Sequence, residues 1–165
     1  VNKKYEQAVT GFSFGLTSAV ITTLGTIAGL YSASKSDFVL VSGLLALAIA
    51  DSLSDAMGIH LSEEAEKVHT TKEIWTSTGF TFVTKFFFTL SFIVPLLFFP
   101  LKTAIYADVV WGIIILSLLS FVIARSQNVK VLPVILEHDS IAFIAILVAG
   151  RAGAVVRFII DALSG

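Results

Sequence analysis

Asp51-Ser-Leu-Ser-Asp-Ala-Met-Gly-Ile-His-Leu-Ser-Glu-Glu-Ala-Glu66 follows an apolar run, Phe38 to Ala50, that carries no charge. Asp51 and Asp55 are four residues apart, which places both carboxylates on one helical face, one turn from each other. A single charge at the centre of a membrane helix costs roughly 2.5–3.5 kcal/mol on insertion scales. A chain that places two there needs partners for them or uses them. Two readings follow. In one, the pair lines a cation path that opens into the acidic patch of His60, Glu63, Glu64 and Glu66. In the other, the aspartates are structural ion pairs that join helices.

The rest of the chain sets the context for that choice. The sequence has 165 residues, 56% hydrophobic and 14% charged, with mean hydropathy +0.91. Soluble domains carry about 25% charged residues, so the composition predicts an all-α membrane protein of one domain. Five apolar segments approach the roughly 20 residues that cross a hydrocarbon core. They are read as helices over about 8–31, 38–62, 74–99, 103–124 and 140–163, since open strands leave their backbone unsatisfied in lipid. Ser36-Asp37 and Asp139-Ser140 are the expected N-caps of the second and fifth helices. Pro95 is expected to kink the third near its end, and Pro100 to close it. No signal-cleavage pattern is visible, and the first segment is long enough to remain a span. With no cysteine, disulfides, thiolate metal sites and c-type haem attachment are excluded. No organic cofactor and no nucleic-acid partner are expected. The sequence carries no nucleophile triad or phosphate loop, so an enzyme is not expected.

Lys and Arg near the span ends predict orientation. Lys3, Lys4, Lys67, Lys72, Arg125 and Lys130 share one side, and Lys35 and Lys102 the other. The first side, with the N-terminus and the acidic patch, is expected to be cytoplasmic. In the first helix, Gly11 and Gly15 form one GxxxG and Gly25 and Gly29 another. Ser18, Thr22 and Thr26 add a hydroxyl stripe. Such surfaces let backbones approach closely in lipid, either within the chain or in a homodimer built on this helix.

Several constellations could carry chemistry. His60, Glu63 and Glu64 can share one face, and imidazole with carboxylates suits Mn, Fe or Zn; the bland alternative is a solvated acidic helix end beside Lys67. Glu66 and His69 have the spacing of di-iron carboxylate bundles, without a second copy in the chain. Lys85 lies in the third helix and Arg151 in the middle of the fifth. A charge census therefore pairs Asp51 and Asp55 with Arg151 and Lys85. Arg157 and Asp161 are i, i+4 and can pair on their own helix. Such internal counter-cations favour structure over transport, unless protonation or a metal displaces Lys85.

Phe14-Gly-Leu-Thr-Ser-Ala-Val-Ile-Thr-Thr-Leu-Gly-Thr-Ile-Ala-Gly29 and Ala50-Asp-Ser-Leu-Ser-Asp-Ala-Met-Gly-Ile-His-Leu-Ser62 resemble the first two helices of the vacuolar iron transporter family. Thr17 in the first run, and Asp51, Leu53, Ser54, Gly58, Leu61 and Ser62 in the second, fall on that pattern. Phe92-Ile-Val-Pro-Leu-Leu-Phe-Phe-Pro100 looks like the family's third-helix ending. The resemblance implies five membrane helices, a homodimer made through the first helix, and export of Fe(II) or Mn(II) from the cytoplasm. Carried over by position, it implies a pathway lined by Thr17, Asp51, Ser54 and Asp55. The departures are specific. The family's first-helix Asp is Phe14, its second-helix Met is Asp55, and its Glu and aromatic are Ile59 and His60. Met57 is no substitute, because two residues along a helix turn a side chain by about 200°.

The expectation is therefore a five-helix transporter of divalent cations in a lipid bilayer, with possible proton exchange as coupling. The alternative is a membrane scaffold or regulatory subunit of the same fold, its ion path closed by Phe14.

Overall fold

Four short turns and one broken helix organise the chain. The computed structural model describes residues 3–164, and the helices are α1 (Lys3–Ser34), α2 (Asp37–Glu66), α3 (Thr71–Ser91), α4 (Ile93–Phe98), α5 (Leu101–Ser126) and α6 (Val131–Ser164). Lys35 takes a left-handed conformation after α1, and the Ser36 hydroxyl accepts from the Val39 N–H to cap α2. Lys67, also left-handed, ends α2 by donating its N–H to the Glu64 carbonyl. Thr70 and Glu73 then start α3 with a reciprocal capping box. Two backbone donors that the new helix leaves free are satisfied in this way.

Pro95 has a larger effect than a kink. A proline ring clashes with the carbonyl four residues earlier and removes one helical hydrogen bond. That carbonyl belongs to Ser91, where α3 stops. Phe92 donates instead to the Thr89 carbonyl at 3.2 Å, and the short α4 carries Pro95 in its first turn. Pro100 occupies the N-cap position of α5. The fifth span differs from expectation. Asp139 does not cap it, because α6 already begins at Val131. Pro133 falls in its first turn, where a missing N–H costs nothing, so the helix absorbs the apolar run before Asp139. The first and second helices likewise extend past the expected limits, to Ser34 and Glu66.

Counting α3 and α4 together, five helical segments are long and apolar enough to cross a membrane. α1 is the central one, packed most closely on α3 and α6. Leu16, Val20, Leu24 and Ile27 of α1 meet Leu40 and Leu44 of α2, Phe92, and Leu116 of α5 in the core. α6 is the peripheral one, with only Ala142 and Gly153 buried along its length.

The glycines of α1 are spent inside the chain. A Cβ on Gly11 would strike the Ser77 backbone carbonyl of α3, and one on Gly15 would come within 2.7 Å of the Thr81 carbonyl. Gly29 faces Ala149 of α6, and a Cβ on Gly153 would strike the Gly29 carbonyl. Gly25 faces Ala145 with room for a methyl group, at 3.7 Å. Of the two expected uses of these glycines, the structure shows packing within the chain, tight at Gly11 and Gly15 against α3 and at Gly29 against α6, and looser at Gly25.

Candidate functional site

Lys85 is the largest fully buried side chain, with 0% exposure. An ammonium in such a place needs charge partners, since an unpaired buried ion costs far more than a paired one. α2 supplies them. Lys85 Nζ lies 2.5 Å from Asp55 Oδ2 and 2.5 Å from Asp51 Oδ2. It also donates to Ser18 Oγ of α1 at 2.9 Å. Ser18 Oγ in turn donates to Asp55 Oδ2 at 2.5 Å. One lysine, two aspartates and one serine thereby join α1, α2 and α3 at the midpoint of α2.

The two carboxylates are not held alike. Asp55 Oδ2 accepts from both Lys85 and Ser18 in hydrogen-bonding geometry. Asp51 Oδ2 is in charge contact with Lys85 but outside hydrogen-bonding geometry, and it has no other partner. Asp51 also lines two clefts. The larger, about 790 Å³, runs between α1, α2 and α6 past Thr22, Thr26, Gly29 and Ala149. The smaller contains Thr26, Ala50, Asp51 and Ser54. Asp55 is therefore held by two hydrogen-bond donors, while Asp51, its Oδ2 buried against Lys85, borders both clefts. Ser54 is exposed beside Asp51, and Thr17 is half-buried on α1 outside both clefts.

Arg151 does not join this cluster. It lies on the other flank of α6, in a cleft with Tyr31, Ser32 and Ile105, while Ala149, Ala152 and Gly153 face the Asp51 cleft. The helical repeat sets the difference: residue 151 points away from the stripe that packs on α1. Lys85 alone therefore serves both aspartates, where the sequence suggested one cation each. Phe14 does not plug an axis either. It is 41% exposed on the outside of α1. Arg157 and Asp161 do pair, at 3.6 Å on the exposed end of α6.

The expected metal ligands at the end of α2 are dispersed. Glu63 is buried, at 5% exposure, and turns inward to accept from Ser77 Oγ at 2.5 Å. With the Gln7 amide oriented to satisfy both neighbours, its nitrogen donates to Glu63 Oε1 at 2.6 Å and its oxygen accepts from His69 Nδ1 at 3.0 Å. His69 also lies 3.6 Å from Glu66, an exposed i, i+3 pair. His60 bonds Thr78 Oγ1 at 3.0 Å and packs edge-on against Trp75. Glu64 is exposed. His60 and Glu63 thus each engage α3 in separate contacts, and α1 enters through Gln7. Among the described residues, no three His, Cys, Asp or Glu side chains are grouped to hold a metal ion.

Ser18 and Gln7 were missed as site residues. Ser18 had a signal, the hydroxyl stripe it forms with Thr22 and Thr26. Gln7 had none, because its partner Glu63 is 56 residues away and only folding brings them together. A third polar cluster joins α5 to α6, where Ser117 donates to Asp139 and Ser120 bonds His138, both at 2.8 Å. Compared with known proteins, the chain matches no family model and no curated sequence.

Proposed function

We propose that this chain is a multi-pass membrane transporter of divalent cations in which Asp51 and Asp55 form the cation seat. Lys85 is then a tethered cation that fills the seat between turnovers. The observation that carries this reading is the imbalance at mid-helix: two carboxylates share one ammonium. With both acids ionised, the cluster holds one surplus negative charge, and Asp51, whose Oδ2 touches Lys85 without a hydrogen bond, borders an open cleft. Charge of this kind inside a membrane helix is expensive and is found on ion and proton paths. A divalent ion entering from the cleft would meet Asp51 first, take Asp55 from Lys85, and leave when Lys85 returns. Carboxylate oxygens suit Mn(II) and accept Fe(II).

The direction of transport belongs to the same proposal. The Lys and Arg residues at the N-terminal end support a cytoplasmic position for it, and the likeness of α1 and α2 to vacuolar iron transporters supports export, with protons as the exchanged ion. His60, Glu63, Glu64 and Glu66, dispersed as they are, have no capture role in this reading beyond surface attraction by Glu64 and Glu66.

The scaffold reading draws on the same site. Lys85 reaches both acids, so the cluster also works as a three-helix clasp. Calorimetry with Mn(II), Fe(II) and Zn(II) on purified protein separates the two. Transport predicts binding that weakens as pH falls, because protons compete for the carboxylates, and that is lost in Asp51→Asn. The clasp predicts no binding of any of the three.

A further inference from the structure

Asp108 stands apart from every cluster described above. It is 0% exposed, on the same inward face of α5 as Ala104 and Gly112. Both of its carboxyl oxygens are buried without a hydrogen-bond partner. The other inward-facing acids each have a partner for at least one oxygen: buried Glu63 and half-buried Asp55 and Asp139 accept hydroxyl donors, and Asp51 touches Lys85, whereas neither oxygen of Asp108 has one among the described residues. An isolated carboxylate in such surroundings is costly and is avoided by taking up a proton.

One helical turn before Asp108, Ile105 lines a cleft of about 440 Å³ between α1, α5 and α6. The cleft also contains Tyr31, Ser32 and Arg151. Arg151 is exposed and makes no ion pair among the described residues. The helices packed on α5 are α1, α4 and α6. At this level α1 offers Tyr31, α4 offers no titratable group, and α6 offers Arg151. On α5 itself, Lys102 and Tyr106 line a neighbouring cleft with Tyr31 and Ile105. His138 and Asp139 of α6 are occupied by Ser120 and Ser117, towards the opposite end. Arg151 is thus the one cation that α6 brings to the cleft that Ile105 lines, one turn from Asp108.

We propose that Asp108 is a proton-binding site, and that Asp108 and Arg151 are the halves of an ion pair that closes when the proton leaves through this cleft. On this proposal the acid holds its proton while Arg151 faces the cleft, as it does in this structure. Loss of the proton creates a buried carboxylate one turn from a cleft that already holds an unpaired guanidinium. Their attraction draws α5 and α6 together. The site is independent of Lys85, and so of the transport reading.

Infrared difference spectroscopy of the full-length chain in lipid, stepped in pH, reads the protonated carboxyl directly. Wild type is expected to show a carboxylic-acid band at neutral pH that fades at alkaline pH, and Asp108→Asn is expected to lack it. Arg151→Met should keep the band but move its midpoint to higher pH, by about tenfold or more in proton concentration, since an opposite charge nearby favours the ionised acid. Asp108→Asn spectra that match wild type at every pH overturn the proton site. If the Asn variant does not fold, the Arg151→Met titration decides: a midpoint at the wild-type value overturns the ion pair. A band that persists unchanged to the highest pH tolerated by the folded protein also overturns the proposal.

Discussion

The α1–α2–α3 side of the molecule and the Asp108 end of the α5–α6 side, apart from the Ser117–Asp139 and Ser120–His138 bonds, treat buried charge in opposite ways. On the first, Lys85 is enclosed by Asp51, Asp55 and Ser18, and Glu63 by Gln7 and Ser77. On the second, Asp108 has no partner and Arg151 looks into a cleft. Packing does not divide in the same way: Gly11 and Gly15 bring α1 against the α3 backbone, Gly153 brings α6 against the Gly29 carbonyl, and α6 leaves its other faces exposed. Satisfied polar networks in a low dielectric fix one arrangement, while unsatisfied ones mark where an arrangement can change. The first side holds the charge-paired cluster and the second the unpaired acid.

Breaking the charge-paired cluster at its centre should have the largest effect. Lys85→Met leaves Asp51 and Asp55 facing each other without a cation, and removing one partner from a buried ion pair costs about 3–5 kcal/mol. Thermal unfolding of the detergent-solubilised protein should show this as a clear loss of stability. Adding Asp55→Asn should recover part of it, and the double-mutant cycle isolates the coupling. A Lys85→Met protein as stable as wild type would show that Lys85 does not hold the cluster together.

The next effect sharpens the packing difference along α1. Gly11→Ala forces a methyl group into the Ser77 carbonyl, and overpacking of this kind costs about 1–3 kcal/mol. Gly25→Ala has room and should stay within about 0.5 kcal/mol of wild type. Melting curves of the two variants should therefore separate. If they coincide, the two ends of α1 are packed alike and the contrast fails.

The smallest effect belongs to the exposed end of α6. Arg157→Ala breaks a solvent-facing i, i+4 pair with Asp161. Such pairs contribute roughly 0.3–0.5 kcal/mol, close to the detection limit of the same assay. A large loss there would show that the end of α6 is held by contacts other than this pair.

Much of this architecture was legible in the sequence, for physical reasons. Five apolar stretches of membrane length, with Ser36 capping the second and Pro100 closing the third, need only hydropathy and capping chemistry to be read, whereas Asp139 misled on the start of the fifth. The Lys85 to Asp55 pairing was legible too, because few cations lie inside spans and depth alone nearly matches them. The Arg151 assignment went wrong because depth does not specify which face of α6 meets α1. Small residues set that face, and Gly29 against Gly153 turns Arg151 away. The metal cluster at His60, Glu63 and Glu64 looked sound on one helix. Folding spreads it, since Gln7 and Ser77 claim Glu63 while Thr78 claims His60. GxxxG motifs report close approach without naming the partner, and here the partner is the chain itself. Asp108 carried no local signal, as a lone acid in an apolar helix reads the same whether paired or not.

The central claim is that Asp51 and Asp55 form a cation seat that Lys85 fills between turnovers, and flux through it tests this most directly. Wild-type protein and Asp55→Asn are reconstituted into liposomes, and Mn(II) and Fe(II) uptake is followed with an enclosed metal-sensitive dye. The account predicts metal-dependent uptake by wild type and at least about a tenfold drop in Asp55→Asn, equivalent to 1.4 kcal/mol or more, while that variant remains folded. Absence of uptake of either ion by wild type, with Asp55→Asn unfolding and Lys85→Met restoring it, would contradict the account and leave the cluster as a clasp.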